Sequence, residues 1–281
     1  MWLNGATEHQ RAFYVSYGYS QVTISMAVTH DGPLRIFVGF DPRQPISYTV
    51  LQHSLVWRAK KTFALTPLLI ENLPIQRQGL TPFTYSRFLV PWLCNFEGWA
   101  LFLDPDMIFL DDVGNLFDLA DDRHAAMVTK SQYRFEWASL ILFNCGHPAN
   151  KVLTPDFIDS EERCSTPHLM DWLKGEEIGD LPAEWNHLVG YDQPRGDARL
   201  VHYTQGIPAF PEVLGCEYSD HWHEDHKTAN RSKPWSEIMG TSVHALRLSD
   251  GRVLPRLHPD AAKAVKVAAE AANAPGKPAS T

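Results

Sequence analysis

The sequence predicts an α/β fold, a mostly parallel sheet flanked by helices, because strand-like and helix-like segments alternate along it. Residues 34–40 and 65–70 are rich in β-branched and aromatic residues, as is typical of strands. Residues 46–60, which lie between them, place apolar side chains at helical spacing. A third strand-like run, residues 100–103, is continuously apolar, as expected for a strand buried on both faces. Strands joined through helices imply right-handed crossovers and parallel neighbours.

The remaining elements are predicted from local signals. Residues 83–94 are predicted as a helix, with Thr81 as its N-cap and Pro82 in its first turn. Residues 113–119 indicate a short helical turn, and the polar, aromatic stretch at 215–240 indicates long loops around a helix. Further strands are expected at residues 125–129, 140–144 and 198–203.

Three segments are expected along the 281 residues. Residues 1–33 are predicted as a poorly ordered N-terminal extension, because a turn at residues 31–33 precedes the first clear strand. Residues 34–258 are predicted as one folded domain, which is long enough to bury a sizeable core. Residues 259–281 are rich in Ala, Lys and Pro and indicate a partly disordered tail.

Composition excludes some classes of function. A formal net charge of −8 argues against a nucleic-acid-binding protein, which would need cations to neutralise phosphates. The four cysteines lie far apart without a C-x-x-C pair, so reduced thiols and a cytoplasmic location are expected. No apolar run approaches the roughly 18 residues of a transmembrane segment, and residues 1–30 lack the features of a signal peptide.

Two carboxylates interrupt the most apolar part of the chain. Asp104 and Asp106, with Pro105 between them, directly follow the strand at residues 100–103. Proline cannot donate a hydrogen bond within a sheet, so we expect the strand to end there and to present both acids at its carboxyl end. Ligands bind at that edge of open α/β sheets, and paired carboxylates suit Mg²⁺ or Mn²⁺. An ordinary surface turn is the alternative, because Asp and Pro are common turn residues.

Seven short segments follow one another in a recognisable order. The central segments are residues 85–91 (YSRFLVP), 99–106 (WALFLDPD) and 112–117 (DVGNLF). The flanking segments are residues 34–41 (LRIFVGFD), 143–146 (FNCG), 181–186 (LPAEWN) and 201–206 (VHYTQG). In the number and order of these segments, over about residues 34–210, the chain resembles the family 8 glycosyltransferases, enzymes of the GT-A fold related to glycogenin and to bacterial lipopolysaccharide galactosyl- and glucosyltransferases.

The resemblance implies a metal site for a nucleotide-sugar donor. Asp104 and Asp106 would hold Mn²⁺ (or Mg²⁺), and His202 would be the third protein ligand. A histidine ligand suits Mn²⁺ better than Mg²⁺. The chain has thirteen histidines, and the alternative is that His202 binds a backbone carbonyl rather than a metal.

The resemblance also implies donor-binding and catalytic positions. Arg87 would approach the acids and the donor, with Tyr85 in the same pocket, although a solvated helix charge would also explain the arginine. Asp41 would contact the uracil and ribose, although an Asp-Pro turn explains it equally well. The remaining positions are Asn186 and Gly206 for donor binding, and Asn144 and Asp171 as catalytic residues near the sugar.

Three features fit the resemblance less directly. The family has a stretch whose acidic and amide side chains lie against the donor sugar, and this stretch is absent here. Residues 167–174 occupy the corresponding region, and Asp171 is the acid there that would take its place. In the family a phosphate-binding lysine follows the position of Gly206 closely, but here no lysine stands there. Lys233 occurs later; either an inserted loop separates it from Gly206, or its match to the family is accidental. The histidines of residues 221–226 suggest a second metal cluster, but a solvated polar segment explains them better.

The sequence therefore predicts an enzyme, a metal-dependent hexosyltransferase. It would move a hexose from a UDP-sugar to the hydroxyl of a glycan, lipid-linked or small-molecule acceptor, with retention of anomeric configuration. A metal-dependent phosphohydrolase or nucleotidyltransferase, and a nucleotide-sugar-binding module without activity, are the alternatives.

Overall fold

The computed structural model describes residues 32–255 together with residues 260, 263, 266 and 267. The expected N-terminal extension, apart from residues 32 and 33, and most of the expected tail lie outside the described residues. The described residues form two compact units, which divide between Ile207 and Pro208. The candidate site lies in the first unit.

The bounds of the regular elements are as follows. The strands are β1 (Leu34–Gly39), β2 (Phe63–Leu68), β3 (Trp99–Leu103), β4 (Met107–Phe109), β5 (Ala126–Val128), β6 (Leu140–Asn144), β7 (Ile178–Asp180), β8 (His187–Leu188), β9 (Leu200–His202), β10 (Ala245–Arg247) and β11 (Val253–Pro255). The α-helices are α1 (Pro45–Arg58), α2 (Val90–Leu93), α3 (Val113–Phe117), α4 (Pro155–Asp159), α5 (Ser219–Ala229) and α6 (Trp235–Met239). The 3₁₀-helices are Ile70–Asn72, Ser86–Leu89, Arg134–Ser139, Pro148–Val152, Pro167–Leu169, Gly175–Glu177, Ala183–Trp185 and Pro211–Val213.

The main sheet has six strands in the order β2-β1-β3-β6-β5-β7. The β1–β2, β1–β3 and β5–β7 pairs are parallel, whereas β6 is antiparallel to both β3 and β5. Five strands therefore point in one direction, and the prediction of an α/β fold with a mostly parallel sheet is confirmed. The carboxyl ends of β1, β3, β5 and β7 share one edge of the sheet.

Strand β3 lies in the middle of the sheet and is buried along its whole length. Its side chains alternate between the two faces, as in any strand. Ala100 and Phe102 belong to the hydrophobic cluster on one face, and Trp99, Leu101 and Leu103 belong to the cluster on the other. This two-sided burial explains why the run lacks polar residues until the strand ends.

A second, three-stranded sheet begins directly after the acids, with the order β4-β9-β8. The strand ends before Pro105, as the proline predicts, and a further strand that the sequence did not indicate begins at Met107. Helix α1 supports this strand, since the buried Ser54 hydroxyl accepts a hydrogen bond of 2.9 Å from the Phe109 backbone N–H. Asp104 and Asp106 therefore lie at the junction of the two sheets.

The predicted helix at residues 83–94 is wrong in its form. The structure has a 3₁₀-helix at Ser86–Leu89 followed by the short α2, and Thr81 bonds to Thr84 rather than capping a helix. Pro91 explains the difference, because a proline inside an α-helix lacks an N–H and clashes with the preceding turn.

The second unit contains α5, α6 and the antiparallel pair β10–β11. The helix expected within residues 215–240 is α5. Within the described residues, no helix has both the length and the apolarity needed to cross a membrane.

Candidate functional site

The candidate site is built on the turn of residues 104–106, which joins β3 of the main sheet to β4 of the small one. The backbone N–H of Asp104 donates 2.9 Å to the carbonyl of Ser139, which precedes β6. This bond extends the β3–β6 pairing by one residue and holds Asp104 at the edge of the sheet. The acids therefore stand where ligands of α/β proteins bind.

His202 reaches the acids through the pairing of β4 with β9. The two strands are antiparallel, with Met107 opposite His202, and the Tyr203 N–H donates 2.9 Å to the Asp106 carbonyl. The His202 Nε2 atom consequently lies 3.4 Å from Asp106 Oδ1. One ligand atom from each of Asp104, Asp106 and His202 lies within 4.8 Å of the others. Among the described residues, this is the one group of three or more His, Cys, Asp or Glu side chains close enough to hold a metal ion.

The donor set fits a divalent cation. Oδ1 of Asp104 and Oδ1 of Asp106 are shielded from solvent, and neither receives a hydrogen bond of good geometry from a described residue. Their charged contacts are ion pairs, with the Arg87 guanidinium at 3.1 Å from Asp104 and His202 Nε2 at 3.4 Å from Asp106. Buried carboxylate oxygens normally have partners, because desolvation without compensation is costly. Two carboxylates and an imidazole are ligands that Mn²⁺ accepts readily.

Arg87 is the basic group closest to the acids. Its guanidinium lies 3.1 Å from Asp104 Oδ1, and only 11% of its side chain is exposed. It also donates hydrogen bonds to the carbonyls of Phe83 and Ala138 and lies 5.0 Å from the centre of the Phe102 ring. These contacts hold its charge at the sheet edge, so Arg87 is not a solvated helix residue.

The electrostatics of the site reflect an excess of buried negative charge. Burial raises the pKa of Asp104 to about 7, opposed by Arg87 and reinforced by Asp106. Burial alone would lower the pKa of His202, but the carboxylates of Asp106, Asp104 and Glu136 together raise it. A cation placed among these groups would compensate the charge that the single arginine leaves unbalanced.

Glu136 is a site residue that the sequence analysis missed. It lies in the 3₁₀-helix Arg134–Ser139, its carboxylate is 3.9 Å from His202 Nδ1, and burial raises its pKa. Histidines that bind metals commonly have a carboxylate or carbonyl beside their second nitrogen, which orients the ring. No local motif marks Glu136; its segment precedes β6, and only the sheet order brings it to the site.

Asn186 lies close to the same edge. Its side chain is buried and donates 3.0 Å to the hydroxyl of Ser139, whose carbonyl binds Asp104. The Oδ1 atom of Asn186 is buried and accepts no hydrogen bond from any described residue. Asn186 therefore offers an acceptor atom in a segment tied to the acidic turn.

Asp41 follows β1, the parallel neighbour of β3, and so lies at the same edge. Its buried carboxylate binds the side chain and the backbone N–H of Arg43, and the side-chain hydrogen bond lowers the pKa of Asp41. Tyr85 packs against the core, with the Arg77 guanidinium 4.0 Å above its ring.

Two predicted catalytic residues have other surroundings. Asn144 ends β6, which is antiparallel to β3, so it lies opposite Trp99 at the far end of β3. Trp99 lies five residue steps before Asp104 along the strand, so about 17 Å separate Asn144 from the acids. The exposed Asp171 carboxylate accepts hydrogen bonds from Thr166 and Ser165 in its own loop. The structure does not bring Asn144 to the acidic turn, and the contacts of Asp171 are with its own loop.

Gly206 occupies a turn after β9 with a φ of +112°, which favours glycine, and its N–H donates to the Tyr203 carbonyl. Lys233 lies in the second unit, where it forms an ion pair with Glu237. The histidines of residues 221–226 lie on α5, where His223 and His226 contact the Trp222 ring. They form no metal-binding group among the residues that the structure describes.

The fold is similar to those of solved glycosyltransferases. WbbM, a bifunctional glycosyltransferase, matches with a TM-score of 0.55 and 15% identity over 74% of this chain, which spans about half (51%) of the WbbM chain. GlyE of Streptococcus pneumoniae matches with a TM-score of 0.54 and 17% identity, over 74% of this chain and 62% of its own. The galactosyltransferase LgtC, in complex with donor and acceptor sugar analogues, matches with a TM-score of 0.52 and 12% identity, over 73% of this chain and 100% of its own. These likenesses show a GT-A-type fold.

No protein-family model matches the chain. Protein CDI of Arabidopsis thaliana is 35% identical over 231 residues, which cover 71% of this chain and 88% of that protein. At this identity and coverage the relationship extends beyond the fold, and the chain belongs to the same family as Protein CDI.

Proposed function

We propose that this protein is a metal-dependent glycosyltransferase that moves a hexose from a UDP-sugar to an acceptor hydroxyl. One observation carries the proposal: Asp104, Asp106 and His202 converge at the ligand-binding edge of a GT-A-type sheet, where Arg87 and His202 are the charged contacts of two buried carboxylate oxygens. The fold similarity supports the same class of reaction.

The proposed cofactor is Mn²⁺, with Mg²⁺ as the alternative, held by Asp104, Asp106 and His202. When bound, the cation would stabilise the negative charge that develops on the leaving diphosphate. Glu136 would orient the imidazole of His202, since its carboxylate faces the other ring nitrogen. These roles account for each of the buried charges around the turn.

The chain's own residues would hold the donor. Arg87 keeps a positive charge beside Asp104, where a guanidinium can also bind a phosphate oxygen. Asp41 is proposed to contact the base or ribose, because it follows the neighbouring parallel strand. Asn186 would use its free buried carbonyl oxygen to accept a hydrogen bond from the donor.

Retention of configuration is proposed through attack on the same face from which the diphosphate leaves. The acceptor oxygen would bond to the anomeric carbon while the bond from that carbon to the phosphate oxygen breaks. The leaving phosphate would take the acceptor's proton. This route needs no protein nucleophile.

The test combines calorimetry with turnover. Wild-type protein should bind UDP in the presence of Mn²⁺, and Asp106→Asn should weaken that binding at least tenfold, because a metal ligand loses its charge. The matched control is Asp118→Asn, which removes an exposed carboxylate that pairs with Lys61. UDP affinity that is equal in both variants would contradict the metal assignment.

Turnover separates the proposed function from other uses of the same site. With a UDP-hexose, release of UDP that increases with an added acceptor supports glycosyl transfer. Release of UMP or phosphate without an acceptor would indicate a phosphohydrolase or nucleotidyltransferase. Binding without any release would indicate a nucleotide-sugar-binding module.

A further inference from the structure

A groove of about 590 Å³ opens at the same edge of the sheet as the acidic turn. Its walls are the segment after β5, beginning at Thr129, the residue Ala183 after β7, and the loop of residues 192–197. This volume falls within the roughly 300–1,000 Å³ of small-molecule sites. We call it the β5–β7 groove.

The charges that line the β5–β7 groove balance. Lys130 and Arg195 are matched in number by Asp192 and Asp197. Arg195 and Asp197 bind each other at 2.6 Å, and the Lys130 ammonium donates 2.7 Å to the Ile178 carbonyl. A groove without net charge is poorly suited to a phosphate and better suited to a neutral, polar ligand.

The other lining groups are suited to hydroxyls. Gln132 and Gln193 carry amides, and Thr129 and Ser131 carry hydroxyls. An amide both donates and accepts hydrogen bonds, as does a hydroxyl. These are the side chains with which a protein recognises a polyhydroxylated molecule.

Three aromatic rings belong to the segments that continue from two walls of the groove. Tyr133 follows the lining residue Gln132, and Tyr191 precedes the lining residue Asp192. The ring centres of Tyr133 and Tyr191 are 4.8 Å apart, and Phe135 lies 6.2 Å and 6.1 Å from them. The Tyr133 hydroxyl donates to the Tyr191 carbonyl and fixes the pair, whereas Phe135 is 52% exposed.

The aromatic rings are connected to the candidate metal site through both of their segments. Phe135 immediately precedes Glu136, whose carboxylate faces His202. The Tyr191 segment follows β8, and the Val189 N–H donates 2.9 Å to the carbonyl of His202 itself. The segments that carry the rings are therefore the ones that also position Glu136 and His202 at the candidate metal site.

We propose that the β5–β7 groove and its three aromatic rings bind the acceptor, and that the acceptor is an uncharged glycan with a pyranose ring. A pyranose carries C–H groups on its faces and hydroxyls around its rim. The faces pack on aromatic rings, and the rim bonds to amides and hydroxyls. This proposal rests on the proposed function, whose acceptor it names by class.

Saturation-transfer NMR tests the proposal directly. The probes are methyl glycosides of glucose, galactose and mannose and the disaccharides maltose and cellobiose, each added to the full chain with UDP and Mg²⁺, because paramagnetic Mn²⁺ would broaden the signals of a bound sugar. Glycerol and a serine-containing peptide supply hydroxyls without a pyranose face. Ring C–H protons of at least one sugar probe should be saturated, while neither non-sugar probe should be.

Substitution at Phe135 then places the sugar. Phe135→Ala should weaken binding of the responding sugar about three- to tenfold, as expected for one lost ring contact, and Phe135→Trp should restore it. The matched control is Trp57→Ala, which removes another exposed ring, 71% exposed on α1, and should leave sugar binding unchanged. Both exposed positions can be truncated without opening the core.

The outcomes distinguish this proposal from the one on which it rests. Undiminished sugar binding by Phe135→Ala, or saturation of the peptide but of none of the sugars, would overturn the glycan assignment. If the wild-type protein bound no UDP while a sugar probe was still saturated, the glycosyltransferase proposal would be overturned and the proposed sugar site would be retained.

Discussion

Asp104 is a carboxylate in a nearly closed environment, and the residues around it determine its behaviour. One arginine, Arg87, faces three acids (Asp104, Asp106 and Glu136) around a buried histidine. Such a group is costly to build for stability alone, because desolvation of charges opposes folding. The imbalance is understandable if the native partner of these acids is a cation, which is the central assumption of the proposed function.

Glu136→Gln tests the orienting role of this residue. The substitution keeps the size of the side chain and removes the charge 3.9 Å from His202 Nδ1. We expect Mn²⁺ affinity to fall by about tenfold, as when a carboxylate that orients a metal-bound histidine is lost. Electron paramagnetic resonance of free Mn²⁺ during titration measures the affinity. The control is Glu176→Gln, an exposed carboxylate; an equal change in both variants would contradict the role.

At the scale of elements, the site depends on β4, a strand of three residues held from two sides. Helix α1 binds it through Ser54, and β9 binds it through the register that brings His202 beside Asp106. Neither partner is adjacent to β4 in sequence. The position of the histidine thus depends on how firmly α1 and β9 hold a short strand.

Ser54→Ala tests this support. The Ser54 hydroxyl donates to the Leu51 carbonyl and accepts from the Phe109 N–H, so its removal leaves a buried N–H without that partner. We expect the free energy of unfolding to fall by about 1–3 kcal/mol, measured by urea denaturation. Thr49→Ala is the control, since the Thr49 hydroxyl bonds the Pro45 carbonyl on an exposed part of the same helix. A loss as large in the control would show that α1, rather than its bond to β4, carries the effect.

At the scale of the whole molecule, the candidate ligands come from parts of the first unit that meet only when it is folded. Asp104 and Asp106 lie between the two sheets, and His202 lies near the end of that unit. A cation that needs all three binds the folded state and not the unfolded chain. Binding of this kind stabilises the fold by mass action.

Mn²⁺ together with UDP should therefore raise the unfolding temperature, and EDTA should reverse the change. At 100 times the dissociation constant the gain is about 2.7 kcal/mol. Differential scanning fluorimetry with and without each component measures it. The same addition to Asp106→Asn should give little shift; a shift as large as that of the wild type would refute coordination by Asp106.

Several features were predictable from neighbouring residues alone. The apolar run of β3 and the acids that follow it mark a buried strand with charges at its end, and the alternation of strands and helices predicts the α/β class. Helical spacing over residues 83–94 predicts one continuous helix, but Pro91 interrupts it. Strand β4 is not predictable from the sequence, because three apolar residues after a turn do not reveal which sheet they join. The family resemblance implies that Asn144 is a site residue, whereas the antiparallel direction of β6 places it at the opposite end of β3.

Local order along the chain was thus enough to specify the sheet, its buried centre and the acidic turn, since strand burial and proline geometry act over a few residues. Pairing between distant segments decided which residues surround that turn: β9 brings His202, and the segment before β6 brings Glu136 and Ser139. Strand direction and register assemble side chains that no short stretch of sequence connects, because they depend on hydrogen bonds between strands rather than on neighbours along one.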